Sequence, residues 1–370
     1  LLVCEYSPGQ AVEDLAACQS LADALGAELM IEIVAPCERS LDAEMADAAS
    51  AIADAGVKPD AVLVAQARLM DFYPRDPRRA GCAEFYRNLW CGAQGLSRCG
   101  TGRRRADEFH RVEPQSLDAG SLRLYLAHTC AVVHEVDDRS VMETLQSLPS
   151  IIGSVRTMAG GKPYRVGPSA IGMRYNPYGP STYDNQSNIR MAFNQQEPRH
   201  RALSGSAFIL GYIARMAAGG VEAVSLGAAV GEFGLAYGKM NHPQPWYDDV
   251  KADGGGWVFP LCHIVAAMSG ATGAQMVDVA SSSADKILGL SYQTPTGQML
   301  WLANLTPGPQ KVSISGLPPG AAHIGRLDED NFVAAVTRPA DFAADSGPLG
   351  DASALEFGAY AVARIEVTMP

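Results

Sequence analysis

"LLVCEYSPGQAVEDLAACQSLADALGAELMIEIVAP" runs from Leu1 to Pro36, and its reading decides the fold. "LLVCEY" is a short apolar run of strand length. Leu15, Cys18, Leu21 and Leu25 then recur at helical spacing, and Gly26 closes the segment. "ELMIEIVAP" is the next strand. A strand, a helix and a second strand in so few residues form a β-α-β unit, whose strands run parallel. The rhythm repeats. Asp42 to Gly56 is an Ala-rich helix and "AVLVAQARL" a third apolar strand. Continuously apolar strands imply a parallel sheet with helices over it.

The pattern weakens over residues 72–121, where a helix is expected near Ala83–Trp90 and a short strand near Leu96–Gly100. It returns with the strand "LRLYLAHT". Ser140 and Glu143 then form a capping box that opens a helix, which Gly160-Gly161 closes. "KPYRVGPSAIG" is a further strand, followed by a long polar loop from Arg174 to Arg199. A helix spans Arg201 to Ala218, "VEAVSLGAAVG" is a strand, and Pro260 to Gly270 is the last helix.

The strands near residues 1, 28, 61, 96, 122, 163 and 221 number seven. A (β/α)8 barrel has eight. The chain starts without Met and inside a strand, so a truncated start that lacks the first barrel strand accounts for the difference. The rival is a doubly wound open sheet, but no G-x-G-x-x-G follows any strand. Beyond about residue 275 the helical pattern stops. "KILGLSYQT", "MLWLANL", "KVSIS" and "YAVARIEV" are β-like and separated by Pro/Gly turns. The expected fold class is α/β: a (β/α)8 TIM barrel lacking its first strand over residues 1–274, then a β-sandwich over 275–370.

Composition fits a soluble enzyme acting on small molecules. The 370 residues are 47% hydrophobic and 19% charged, with a net charge of -11. That charge argues against nucleic acid or an anionic membrane as main partner. The basic clusters Arg78-Arg79 and Arg103-Arg104-Arg105 are expected to be solvated loop faces. The eight cysteines include no C-x-x-C pair and are read as reduced thiols, which fits a cytoplasmic protein. No apolar stretch is long enough to span a membrane, and the start does not resemble a signal peptide. Composition leaves the oligomeric state open.

In a barrel, chemistry sits at the carboxyl ends of the strands. That rule selects "AHTCAVVHEVDDRSVMETL", Ala127 to Leu145. His128 ends a strand, and His134 and Asp137 follow in the loop. A neutral His oriented by a carboxylate is a natural general base. The bland alternative for Asp137 and Asp138 is charge at a helix N-terminus. The H-x5-H-x2-D spacing matches no standard metal site, and no cofactor is expected. After the next strand, Arg174, Tyr175 and Asn176 stand where a bound sugar acid would meet the rim, with Arg165 within the strand itself. Ser169 lies in G-P-S-A-I-G rather than a nucleophile elbow, so it is read as a strand-end serine. Glu232, in "GEFGLAYG", follows the last barrel strand as a candidate acid or base. Trp246 and Tyr247, in "HPQPWYDD", would make an aromatic platform for a sugar, or else an ordinary packed loop.

Three segments carry a resemblance. "VHEVDDRSVMETLQSLPSIIGSVRTMAGGKPYRVGPSAIGMRYNPYG", "GSAFILGYIARMAAGGVEAVSLG" and "WLANLTPGPQKVSI" resemble the D-apionate lactonase family. The likeness covers roughly residues 1–315. It implies a glycosidase-like barrel with a β-sandwich, and a hydrolase that opens a sugar-acid lactone; the residues read from their strand-end positions as catalytic candidates for such a reaction are His128, His134, Asp137, Arg174 and Glu232. The implied partner is a small sugar acid or lactone. The chain departs from the family where "YYET" would end the last barrel strand: "SLGAAVGEFG" stands there, with Glu232 displaced. "GLSRCGTGRRRADEFHR" is more basic than the family's corresponding region. The retaining glycosidases related to that family carry their two carboxylates on barrel strands four and seven. Here those strands end "VAQARLMDF" and "VGPSAIG", without a Glu. A non-catalytic carbohydrate-binding protein, or a glycoside hydrolase, is the alternative reading.

Overall fold

β1 (Leu2–Tyr6), β2 (Leu29–Ala35) and β3 (Ala61–Gln66) alternate with helices α1 (Val12–Leu25) and α2 (Leu41–Asp54). The computed structural model describes residues 2–36, 38–66, 100–105, 124–127, 129–174, 176, 181–249 and 257–369. The helix expected at Ala83–Trp90, Arg78-Arg79, His128 and Tyr175 lie outside them. The barrel continues with β4 (Gly100–Arg105), β5 (Leu124–Ala127), α3 (Asp138–Ala159), β6 (Tyr164–Ser169), α4 (Leu203–Ala218), β7 (Ala223–Leu226) and α5 (Leu261–Gly270). The Arg103-Arg104-Arg105 cluster is thus part of a strand, not a loop, and pairs in parallel with β5.

All seven strands are parallel and lie in sequential order, β1 to β7. A doubly wound sheet reverses its order at a switch point. A sequential order lets every right-handed crossover lie on one face, and the sheet curls into a barrel. Two ion pairs show the curl. Glu28, just before β2, reaches Arg165 of β6 at 2.9 Å, and Glu5 of β1 reaches Arg174 beyond β6 at 3.2 Å. Among the described residues, β1 and β7 do not pair with each other.

Period-two alternation sorts the strand side chains between the two faces. Cys4, Tyr6, Ile31, Ile33 and Val62 pack outward against Leu15 of α1 and Met45 and Ile52 of α2. Val3, Met30, Ala61 and Leu63 pack together on the opposite, inner face. Glu5 and Glu32 share that inner face and are direct register partners.

The second unit is a six-stranded sheet in the order β13-β12-β15-β10-β9-β8 with a two-stranded sheet β11-β14. Its strands are β8 (Met276–Val277), β9 (Ile287–Thr294), β10 (Gly297–Asn304), β11 (Gln310–Val312), β12 (Ala321–Leu327), β13 (Gly347–Pro348), β14 (Leu355–Phe357) and β15 (Val362–Thr368). The expectation that helices stop near residue 275 fails, because α6 (Phe332–Thr337) and α7 (Pro339–Ala344) lie between β12 and β13. Both are only six residues long, too short for a periodic signal. Leu145 of α3, Leu210 of α4, and Leu288 and Trp301 of the second unit belong to one continuous core. Gly211 permits that contact: a Cβ there would lie 2.7 Å from Leu145 and 3.4 Å from Leu288.

Strand β6 is irregular where it matters most. Its register against β7 shifts between Val166 and Ser169, and Gly167 sits at φ 125°. A Cβ on Gly167 would lie 2.4 Å from the Ser225 carbonyl oxygen. Gly167→Ala is therefore expected to lower stability by about 3 kcal/mol, combining overpacking with an unfavourable φ. A thermal or urea melt beside the parent chain checks this, and an unchanged midpoint would overturn the role given to Gly167.

Candidate active site at the carboxyl ends of the barrel strands

The shift in β6 turns Ser169 toward its neighbours. Its Oγ accepts from the Thr129 backbone N–H at 3.2 Å and from the Tyr212 hydroxyl at 3.1 Å. The Thr129 and Tyr212 hydroxyls are 2.5 Å apart. This triangle joins the ends of β5 and β6 to α4, which agrees with a strand-end serine rather than a nucleophile. Burial pushes the Tyr212 phenol up to about 12, so it stays protonated and able to donate.

Arg174 follows this fixed strand end. Gln195 Nε2 donates to its carbonyl at 2.7 Å, and Met173 N–H donates to the Asn194 carbonyl at 2.9 Å. The backbone is held on both sides, so the guanidinium projects to Glu5. Arg174 is 21% exposed and Glu5 34%, so the pair is open to a solute. Glu32 lies beside Glu5 on β2 and is fully buried. Two carboxylates and an arginine therefore meet on the inner wall of the barrel. The arrangement can polarise a carbonyl, hold an oxyanion and take a proton from water.

Sequence reasoning passed over Glu5 and Glu32. The signal was present: each is a single acid inside an otherwise apolar strand, "VCEY" and "MIEIV". A buried strand carries a charge only when something in the fold answers it.

The residues singled out from sequence distribute differently. Among the described residues Asp137 is partnered by a helix, not by a histidine. Its carboxylate accepts from the Ser140 backbone N–H at 2.9 Å and caps α3. Hydrogen bonding from the Ser140 side chain, and then from its backbone N–H, holds its pKa below the usual carboxylate range. The capping box expected from Ser140 and Glu143 is replaced by this cap, and Glu143 instead pairs with Arg139 at 2.6 Å. His134 is exposed on the rim, with its ring edge-on to Phe193 at 6.1 Å. Arg165 is not a rim residue. It sits near the amino end of β6 and pairs with Glu28 at 2.9 Å and Glu222 at 3.0 Å, on the opposite end of the barrel. Asn176 is buried and donates to the Ser181 carbonyl at 3.0 Å, which fixes the loop after β6. Glu232 is half-buried in the loop after β7. Tyr247 is not a sugar platform. It is buried, stacked on Tyr237 and edge-on to Phe259. Trp246 packs against Tyr247, Trp257 and Phe332, so the loop reading wins for both.

Behind the rim, buried charges hold the loops. Glu197 accepts from Arg199 at 2.6 and 3.0 Å, and Arg199 also reaches Asp138 at 3.3 Å. His200 is fully buried, with Nε2 2.9 Å from the Gly234 carbonyl. Among the described residues no group of three or more His, Cys, Asp and Glu side chains is placed to hold a metal ion. No helix among them is long and apolar enough to cross a membrane. Among the described residues Cys4, Cys18 and Cys262 are free thiols.

Comparison with known proteins agrees with this architecture. The family model for the D-apionate lactonase TIM barrel domain matches residues 1–273, and that for the family's C-terminal immunoglobulin-like domain matches residues 284–365. A D-apionate lactonase from Brucella anthropi is 33% identical over 323 residues, covering 85% of this chain and 50% of the relative. The chain thus spans about half the length of the curated relative it matches. Among solved structures, a family 51 alpha-L-arabinofuranosidase from Bifidobacterium longum aligns with a TM-score of 0.56 at 10% identity, over 95% of this chain and 78% of that one. A conserved exported protein from Bacteroides fragilis aligns with a TM-score of 0.57 at 10% identity, over 94% and 78%. At such identities these two show the fold alone.

His200 yields a pH prediction. Burial drives its pKa from the ordinary 6.5 to about 4. A histidine kept neutral in the folded state contributes stability that is complete above pH 6.5 and lost as the pH falls toward 4. Denaturation at pH 7 and pH 4 should show a loss from this group on the order of 3 kcal/mol. His200→Gln should flatten that slope, and an equal slope in both proteins would remove His200 as its source.

Proposed function

The chain belongs to the D-apionate lactonase family, and on that premise we propose that it is a hydrolase that opens the ring of a sugar-acid lactone. The observation that carries this reading is the exposed Glu5–Arg174 pair on the inner wall, with Glu32 beside it. Glu5 takes a proton from water, whose oxygen bonds to the lactone carbonyl carbon. The carbonyl oxygen becomes an oxyanion facing the Arg174 guanidinium. The ring C–O bond then breaks, the ring oxygen takes up a proton, and an open-chain sugar acid results. Glu232 and the loop held by Asn176 contact the hydroxyls. His134 stands at the rim, where the substrate enters.

Two features favour a lactone over a glycoside. β3 ends in Gln66 and β6 in Ser169, where the related retaining glycosidases would place their carboxylates. An arginine beside one carboxylate suits acyl chemistry, in which negative charge develops on a carbonyl oxygen. The name of the curated relative makes D-apionolactone the first substrate to test. A bacterial cytoplasmic setting and a role in carbohydrate metabolism go with the same reading.

The test is acid release in weak buffer from a panel of pentono- and hexonolactones, D-apionolactone included. Turnover of at least one is expected. Glu5→Gln should lower kcat by about 10²–10⁴-fold, and Arg174→Ala by about 10²–10³-fold. Absence of turnover across the panel by the folded chain would leave a carbohydrate-binding protein. Full activity in both variants would remove the pair from the mechanism.

A further inference from the structure

Two thiols meet on the outer side of the barrel, behind the strand that carries Glu5. Cys4 of β1 faces the layer between the sheet and α1 and is 6% exposed. On α1, Leu15 and Ala22 are the buried residues, and Cys18 falls between them at spacings of three and four. It therefore stands on the face turned to β1, half-buried and packed against the cluster that contains Cys4. Both are free thiols.

The two side chains hydrogen-bond to each other, Cys4 donating and Cys18 accepting. That contact lowers Cys18 to about 7, while burial and the nearby Asp14 act in the opposite direction. A share of Cys18 is thus thiolate near neutral pH. The same contact comes first in pushing the Cys4 thiol up, followed by burial and by the charges of Asp14 and Glu5. One thiol is partly exposed and acidic, and the other is buried, protonated and in contact with it. That division suits an attacking and a resolving cysteine.

The pair is coupled to the barrel interior. Glu5 follows Cys4 on β1 and points the other way, to Arg174 at 3.2 Å. The Cys4 sulfur lies 3.9 Å from the Glu5 carbonyl oxygen. Bonded sulfurs lie closer than hydrogen-bonded ones, so a disulfide here draws β1 outward toward α1. Among the described residues β1 has a sheet neighbour on one side only, so it can yield.

We propose that Cys4 and Cys18 are a peroxide-operated switch, whose disulfide clasps β1 to α1 and draws Glu5 away from Arg174. The Cys18 thiolate attacks one oxygen of hydrogen peroxide. An S–O bond forms, the O–O bond breaks, and the leaving hydroxide takes the proton given up by Cys18 to become water. The Cys4 sulfur then attacks the Cys18 sulfur. The S–S bond forms, the S–O bond breaks, and the departing hydroxide leaves as a second water with the Cys4 thiol proton. Two thiols lose two electrons and one peroxide gains them. A dithiol reductant reverses the step by exchange. The effect on Glu5 rests on the lactonase reading, and the disulfide itself does not.

In the experiment the full chain is reduced, freed of reductant, treated with a small excess of hydrogen peroxide, alkylated and cut after glutamate. Residues 1–5 and 14–28 should appear in mass spectra as one joined species, lighter than their sum by two hydrogens and separated by dithiothreitol. On a lactone that the reduced chain turns over, kcat should fall about 10–100-fold on oxidation and return with dithiothreitol. Cys18→Ser, at a half-buried position, should keep the reduced chain's kcat and lose the response to peroxide. Cys4→Ala should lose it as well, with a melt to show that it is folded. Segments left unjoined after peroxide, or joined to a different cysteine, would overturn the proposal. A joined species with unchanged kcat would overturn the switch. A joined species in a chain that opens no lactone would support the pair and sink the lactonase reading alone.

Discussion

A charge placed in an apolar barrel must be answered by another, and the rest of this molecule is arranged around that constraint. Glu5 and Glu32 enter side by side on β1 and β2, on a face they share with Val3, Met30 and Leu63. Removing a carboxylate from water costs several kcal/mol unless a partner and hydrogen bonds compensate. For Glu5 the partner is Arg174, 169 residues away in sequence. The ion pair therefore helps draw the sheet round on itself. At the amino end of the same strands, Arg165 between Glu28 and Glu222 does similar work. The barrel is fastened electrostatically at both ends of β6.

That explains why β6 cannot be a regular strand. Arg174 points at Glu5 only if the chain leaves the sheet at a set angle. The angle is fixed by the register shift at Gly167, the Thr129–Ser169–Tyr212 triangle and the loop that holds Met173 and Arg174. A hydroxyl triangle is a sound device here. Each member is satisfied by the others, so it locks three elements without leaving a buried donor or acceptor unmet.

The barrel was legible in the sequence because its evidence is local and periodic. Apolar runs of strand length alternate with amphipathic helices, and each glycine closure of α1 and α3 sits where an αL residue ends a helix. The candidate site was only partly legible, because it is a matter of long-range pairing. Arg174 was recognisable from its place after a strand. Glu5 was not, since nothing within β1 names a partner well over a hundred residues away. The error at Asp137 has the same source. "HEVDDRS" presents acids beside a histidine, yet a helix with open N–H groups begins there and takes the nearest carboxylate first. Trp246 and Tyr247 misled for a related reason: an aromatic pair in a Pro-rich loop looks like a platform, but both rings face inward onto a core shared with α6. Residues 332–344 escaped notice because two helices of six residues carry less than two turns of periodicity each.

The stretch from His134 to Ser140 is better understood as a joint than as a reaction centre. Asp137 caps α3, and its neighbour Asp138 receives Arg190 at 2.7 and 2.8 Å and Arg199 at 3.3 Å. Arg199 in turn binds Glu197 and the Val136 carbonyl. One helix N-terminus thus fixes the entry to α4 and part of the long loop after β6. A dipole end that attracts carboxylates is used to assemble loops rather than to perform chemistry. The consequence reaches the rim: the loop fixed through Asp138 is the same loop whose Gln195 and Asn194 hold the backbone of Arg174 and Met173. Asp138, next to the candidate Asp137, acts at a distance, by helping to set where the arginine can point.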